Sequence, residues 1–233
     1  SAGPDFYALV KKSIVRLQGS DSLRDFCIAL TDEVRAITGF DRVMVYRFHP
    51  DLHGEVVAES RRADLPPWLG LHYPAEDIPL PAREIFKKIW VRPMPEVAGG
   101  LAEMLPLVHP DTGRPLDMSF CALRGPSVMY TEYLQNMRVK AGLTMPIRSG
   151  NDLWGLIACH HYAGPRPISF ALRAACEFLA QVASLQYRAA EDREHLEARL
   201  QLDAVHRELI SRAARQGDLA ALVEGRPNLG DAL

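Results

Sequence analysis

The chain has 233 residues, 48% of them apolar, and 27 Lys plus Arg stand against 29 Asp plus Glu for a formal charge of -2. That is enough apolar material for a substantial core, and there is no basic field to attract nucleic acid. No run approaches the ~18 apolar residues of a membrane span, and the opening SAGPDFYALVKK lacks the apolar centre of a signal peptide, so a cytoplasmic protein with no membrane partner is expected.

Phe6, Leu9, Val10, Ile14 and Leu17 recur at helical spacing. After the cap signal Ser20-Asp21-Ser22 so do Leu23, Phe26, Cys27, Leu30, Val34 and Ile37, with Gly39 placed to end the helix. DRVMVYRF (41–48) and GEVVAES (54–60) are short, rich in β-branched residues and separated by the turn-like HPDLH, which predicts a hairpin. A proline-rich, acid-bearing loop, HYPAEDIPLPAREIF (72–86), leads into a helix expected over Arg83–Trp90, and Pro and Gly recur so often in 92–118 that a long irregular excursion is expected there. Tyr130–Met137 predicts a short helix, and residues 143–162 split at Ser149-Gly150-Asn151-Asp152 into a second hairpin.

From Ser169 no proline appears until Pro227, and the pattern is one very long helix. Its first half is apolar enough to lie on a core, whereas Ala198, Leu202, Val205 and Leu209 repeat at 4-3-4 steps among charges, a stripe that belongs either to a solvated helix end or, the better reading, to a partner helix, most economically that of a second copy. Gly217–Leu233 resembles the start of something cut off. Helices flanking a mostly antiparallel sheet of five or six strands define an α+β arrangement.

The four cysteines, Cys27, Cys121, Cys159 and Cys176, are scattered beside apolar neighbours without CxxC spacing and read as buried reduced thiols. The sequence holds no G-x-S-x-G, H-E-x-x-H, P-loop or G-x-G-x-x-G pattern, so neither enzymatic chemistry nor a phosphate cradle is indicated. His160 and His161 are adjacent on a strand and point to opposite faces, which argues against a shared metal, and no metal site is expected. Arg92, Arg124 and His160 each follow an apolar run and sit at the margin of a core. Singly such cations are commonly snorkelling or ion-paired side chains; together they suggest a binder of an acidic, largely apolar ligand, because guanidinium forks match carboxylates two bonds at a time.

Four motifs in order, DRVMVYRFHPDLHGEVVAES, YPAEDIPLPAR, LRGPSVMYTEYLQNM and LWGLIACHHY, resemble the chromophore-binding GAF domain of phytochromes, bacteriophytochromes most closely, from about Leu23 to Tyr187. The resemblance implies a GAF-type antiparallel sheet flanked by helices with a long C-terminal signalling helix. It divides the chain into an N-terminal helix and linker (1–19), the GAF domain (20–190), a signalling and dimerisation helix (191–216) and the truncated start of a following region (217–233).

It further implies a linear tetrapyrrole, biliverdin in the bacterial branch, held without a covalent bond or through a cysteine outside this chain. By motif position Asp77 stands at the pyrrole nitrogens with Pro74, Ile78 and Pro79 stiffening its loop. Arg92 and Arg124 clamp propionates, Thr144 hydrogen-bonds one of them, and His160 faces the ring that rotates in light. Tyr46 and Tyr73 are aromatic walls, Tyr133 supports the floor, and Ser127, Met129 and Tyr130 complete the set. Three departures stand out: Tyr130 occupies the place of the family's usual histidine, Met129 that of the attachment cysteine of plant and cyanobacterial relatives, and Phe86 and Glu76 replace a frequent tyrosine and the loop serine. The implied role is a photosensory module, not itself an enzyme, relaying light through a dimeric helix to an output such as a histidine kinase. The alternative is a pigment-free GAF domain acting as a redox or small-ligand sensor or as a dimerisation module.

Overall fold

A computed structural model of the protein describes residues 6–216. Two helices open it, α1 (Phe6–Gln18) and α2 (Leu23–Thr38). The expected caps are present on α2: Ser22 Oγ accepts the Asp25 N–H at 3.1 Å, and Gly39 ends the helix at φ 64°, a left-handed conformation that a residue without Cβ adopts freely. Phe26, Cys27, Leu30 and Val34 form the buried stripe of α2. Glu33 joins the two helices, accepting from Ser13 Oγ at 2.7 Å and pairing with Arg16.

Six strands follow: β1 (Arg42–Phe48), β2 (Gly54–Arg61), β3 (His72–Tyr73), β4 (Arg92–Met94), β5 (Ala141–Ser149) and β6 (Asp152–His161). They form one sheet in the order β3-β2-β1-β6-β5-β4, antiparallel at every pairing. Both expected hairpins are there, and Gly150 turns the second at φ 62°. The period-2 alternation of the strands decides which residues meet which layer. Val43, Val45, Leu143, Met145, Ile147, Ile157 and Cys159 join Phe26, Leu30, Val34, Cys176, Leu179 and Ala183 in the main core. Each Val, Leu, Ile, Met or Phe among them contributes about 1.5–3 kcal/mol by leaving water. The intervening residues Met44, Tyr46, Thr144, Leu156, Ala158 and His160 project from the other face and line the cavity described below.

Three shorter elements differ from expectation. Helix α3 spans Leu80–Phe86 rather than Arg83–Trp90, because Pro81 fits the first helical turn and the chain then turns away at Lys87. Residues 92–94, expected within the irregular excursion, pair with β5 as an edge strand, where Pro93 is tolerated. Helix α4 runs Val128–Asn136, two residues earlier than expected, because Ser127 caps it by accepting the Tyr130 N–H at 3.3 Å. Cys27, Cys159 and Cys176 are buried and outside any disulfide, as expected; Cys121 is only half-buried.

Helix α5 (Phe170–Gln216) is continuous, and the chain divides into two compact units after Tyr187. In the first, residues 170–187 bring Cys176, Leu179, Ala180, Ala183 and Tyr187 into the core. In the second, Ala198 and Leu202 are exposed and Val205 half-buried, but Leu209 is only 3% exposed. The expected stripe is therefore not uniformly open; it passes from exposed to covered along its length. The expected truncated region, 217–233, lies outside the described residues.

Candidate functional site

A cavity of about 460 Å³ lies between the second face of the sheet and the loop-rich layer formed by residues 74–86, the excursion and α4. That volume is within the usual range for small-molecule sites. Asp77, Arg92, Arg124, His160, Tyr46, Tyr73, Tyr130, Tyr133, Thr144, Ile78, Ser127 and Met129 all line it.

The proline-rich loop forms one wall. Pro74 and Pro79 hold extended backbone at φ -63° and -67°, and between them Ala75–Asp77 make a single 3₁₀ turn. Arg83, buried on α3, ties the loop from beneath: Nε donates to the Ile78 carbonyl at 2.6 Å and Nη2 to those of Leu52 at 2.6 Å and Ala75 at 3.3 Å, while the guanidinium lies 4.0 Å over the Phe48 ring. At the other end of α3, Arg148 on β5 donates to the Phe86 carbonyl at 2.8 Å and the Ile89 carbonyl at 2.7 Å. Bonds at both ends of α3, and not proline alone, thus brace the loop. Tyr133 reaches across from α4 and donates its hydroxyl to Asp77 Oδ2 at 3.2 Å. Burial, then Asp77, pushes the Tyr133 phenol above its ordinary range, so it acts as a donor.

The opposite end is cationic. Arg92 on β4 is 8% exposed and donates from Nη1 to the Arg124 carbonyl at 2.9 Å and from Nη2 to that of Gly125 at 3.1 Å. Burial, then Arg124, lowers its pKa. Among the described residues no carboxylate lies within ion-pairing distance of Arg92 or Arg124. Arg92 stands opposite Thr144 in the β4–β5 register, and the Tyr130 hydroxyl is 3.5 Å from Thr144 Oγ1. Burial raises the Tyr130 pKa, so this hydroxyl is neutral throughout the physiological range.

His160 closes the remaining side. Its ring meets Trp68 edge to face at 5.8 Å, and burial, then Arg42, lowers its pKa to about 3, which makes it a neutral imidazole. Among the described residues its buried Nδ1 has no hydrogen-bond partner. His161, as alternation requires, turns instead to Asp41 at 2.8 Å. Tyr46 and Tyr73 meet at 5.9 Å between ring centroids, and burial, then Asp77, pushes the Tyr46 phenol up to about 12. Gly54 makes room for Tyr46: a Cβ there would fall 1.9 Å from the Tyr46 ring, in space the ring occupies.

The sequence reading missed Trp68, Met44, Leu156 and Ala158 as lining residues, and Arg42 behind them. Arg42 is 1% exposed, pairs with Glu59 at 2.5 Å, donates to the Pro66 carbonyl at 2.8 Å and lies 3.8 Å over Trp68. The tryptophan in RRADLPPWLG was the available signal. Its neighbours on the wall, Leu156 and Ala158, could have been found by counting alternate residues back from His160.

The family model described as GAF domain matches residues 22–186. The chain belongs to the GAF domain family. Within it the chain is similar to phytochromes: 41% identical over 227 residues to cyanobacterial phytochrome B of Nostoc sp., and 42% over 228 residues to phytochrome-like protein Cph1 of Synechocystis sp.. These matches take in 97% and 98% of this chain but 30% of each relative's length. Among solved structures, the bacteriophytochrome RpBphP3 from R. palustris superposes with a TM-score of 0.86 at 35% identity, over 95% of this chain and 45% of that one. The photosensory core module of Stigmatella aurantiaca phytochrome gives 0.81 at 38% identity, over 92% and 43%. No described helix is long and apolar enough to cross a membrane.

Proposed function

We propose that this chain is the pigment-binding part of a light sensor and holds a linear tetrapyrrole, biliverdin in the first instance, in the cavity beside Asp77. The observation that carries the reading is the unbalanced polarity of the cavity lining: among the described residues, two guanidiniums without a carboxylate partner and an Nδ1 of His160 without a hydrogen-bond partner. A buried cation calls for an anion, and an unpaired buried ring nitrogen calls for a donor or acceptor. A bilin supplies two propionates, a conjugated apolar skeleton and polar ring ends, and when bound it supplies light absorption followed by rotation of a terminal ring.

In this reading the protein's own groups divide the work as follows. Arg92, Arg124 and Thr144 bind and orient the acid groups. Asp77 offers its backbone carbonyl and its carboxylate to the pyrrole nitrogens while Tyr133 holds the carboxylate in place. Tyr46, Tyr73, Trp68 and Ile78 exclude water from the skeleton, and neutral His160 faces the rotating ring. Tyr130 contributes a neutral hydroxyl where the family's usual histidine would titrate near neutrality. No cysteine lines the cavity among the described residues, which supports retention without a covalent bond or through a cysteine outside this chain. The exposed Leu196, Leu200, Leu202 and Ile210 of α5 support a helix–helix contact with a second copy, through which the change at the cavity would reach an output such as a histidine kinase.

Mixing the purified chain with biliverdin tests the reading. The expected result is a red-shifted absorption band that requires protein and saturates at one bilin per chain. A spectrum equal to that of free biliverdin overturns it and favours the pigment-free sensor.

A further inference from the structure

Three histidines outside the cavity meet at the tip of the β1–β2 hairpin. His49 and His53 flank the turn, His72 reaches it from β3, and each offers a ring nitrogen within 4.8 Å of the others. The backbone builds this meeting. Leu52 turns the chain at φ 74°, the His49 N–H donates to the His53 carbonyl at 2.9 Å, and the Leu52 N–H donates to the His49 carbonyl at 2.9 Å. Register in the β2–β3 pair then sets His72 opposite Glu55. The His49 and His53 rings stack with centroids 4.2 Å apart.

Two details go beyond proximity. His53 Nε2 and His72 Nδ1 stand 3.0 Å apart as hydrogen-bond partners; replacing the shared proton by an ion needs them only slightly further apart, roughly 3.3 Å for two nitrogens on one tetrahedral ion with Zn–N bonds of about 2.0–2.1 Å. Carboxylates also engage two of the rings: Asp51 Oδ1 lies 2.5 Å from His53 Nδ1, and Glu55 Oε2 lies 2.9 Å from His49 Nε2. A carboxylate that accepts one ring N–H leaves the lone pair on the other nitrogen and fixes the ring's orientation, which is how metal-binding histidines are commonly prepared. For His53 the nitrogen so freed is the one aimed at His72.

We propose that His49, His53 and His72 bind a divalent d-block cation of the class that prefers imidazole, such as Zn²⁺, with Asp51 and Glu55 orienting two of the rings and water completing the coordination shell. The ion would clamp the hairpin tip to β3, whose next residue, Tyr73, lines the cavity.

Calorimetric titration of the tag-free, pigment-free chain with Zn²⁺ tests this, with Co²⁺ as a second probe read by its visible absorption. One saturable site per chain is expected. H53A and H72A should each weaken binding at least tenfold, and D51N by roughly tenfold, as loss of an orienting carboxylate does elsewhere; H206A, on α5, should bind as the parent does. Circular dichroism checks that each variant is folded. Absence of saturable binding, binding unchanged in folded H53A and H72A, or a loss in H206A equal to that in H53A would overturn the proposal.

Discussion

Replacing Arg92 by Gln removes the most deeply buried cation of the cavity while keeping a polar, unbranched side chain. Of the five N–H donors of a guanidinium, two are engaged by the carbonyls of Arg124 and Gly125, which leaves three for an acid. A hydrogen bond to a charged group contributes about 1.5–3 kcal/mol, so loss of one or two of them should weaken biliverdin binding by about 3 kcal/mol, roughly a hundredfold in Kd. Arg124 is half-buried and shares its charge with solvent; R124Q should cost less than about 1 kcal/mol. Absorbance titration of biliverdin into each variant gives the two constants, and circular dichroism shows that the folds agree. Biliverdin dimethyl ester supplies the control, because it has no carboxylate to lose: R92Q should bind it as well as the parent does. A Kd for R92Q within threefold of the parent, or an equal loss for acid and ester, would refute the ion-pairing role.

Two further expectations concern the frame of the site. R42M takes from Glu59, 4% exposed, its buried ion-pair partner and leaves it the partly exposed Arg61 at 3.6 Å and the Trp68 N–H at 3.0 Å. It should cost about 2–3 kcal/mol, below the roughly 3–5 of a pair broken with no other partner, and several degrees in Tm; R42M/E59Q should recover much of it, and a double variant no more stable than the single would contradict the assignment. His160 has a folded-state pKa of about 3 against about 6.5 unfolded, so between those values the unfolded chain binds more protons. Stability should therefore be lost as pH falls from 6.5 toward 3, at up to about 1.4 kcal/mol per pH unit. Relative to H160Q, the parent should lose ground over that range in denaturant melts; a difference independent of pH would refute the buried neutral imidazole.

Local signals carried much of the architecture. The Ser22 cap, Gly39, the two hairpin turns and the period-2 runs of β1, β5 and β6 are each settled within a few residues, and the structure follows them. All twelve residues named for the site line one cavity because alternation and motif order placed them there. What stayed hidden depends on partners distant in the chain. Three residues become β4 only because β5 lies alongside, about fifty positions later in the chain, with Arg92 against Thr144 and Pro93 against Leu143. Arg42 is buried only because Glu59 and the Pro66 carbonyl meet it from β2 and the following loop. HPDLH reads as a turn, and is one, but nothing in those five letters announces that His72 will arrive beside it.

Gly54 is absent from the cavity wall, yet the position of the Tyr46 phenol depends on it. The aromatic plane lies where any larger residue at 54 would project its first carbon, so the breadth of the chamber on that side is dictated by a missing atom one strand away. An engineer who randomised only positions that face the ligand would leave this control untouched. The lever for reshaping the aromatic wall sits behind it, at a residue that has nothing to point with.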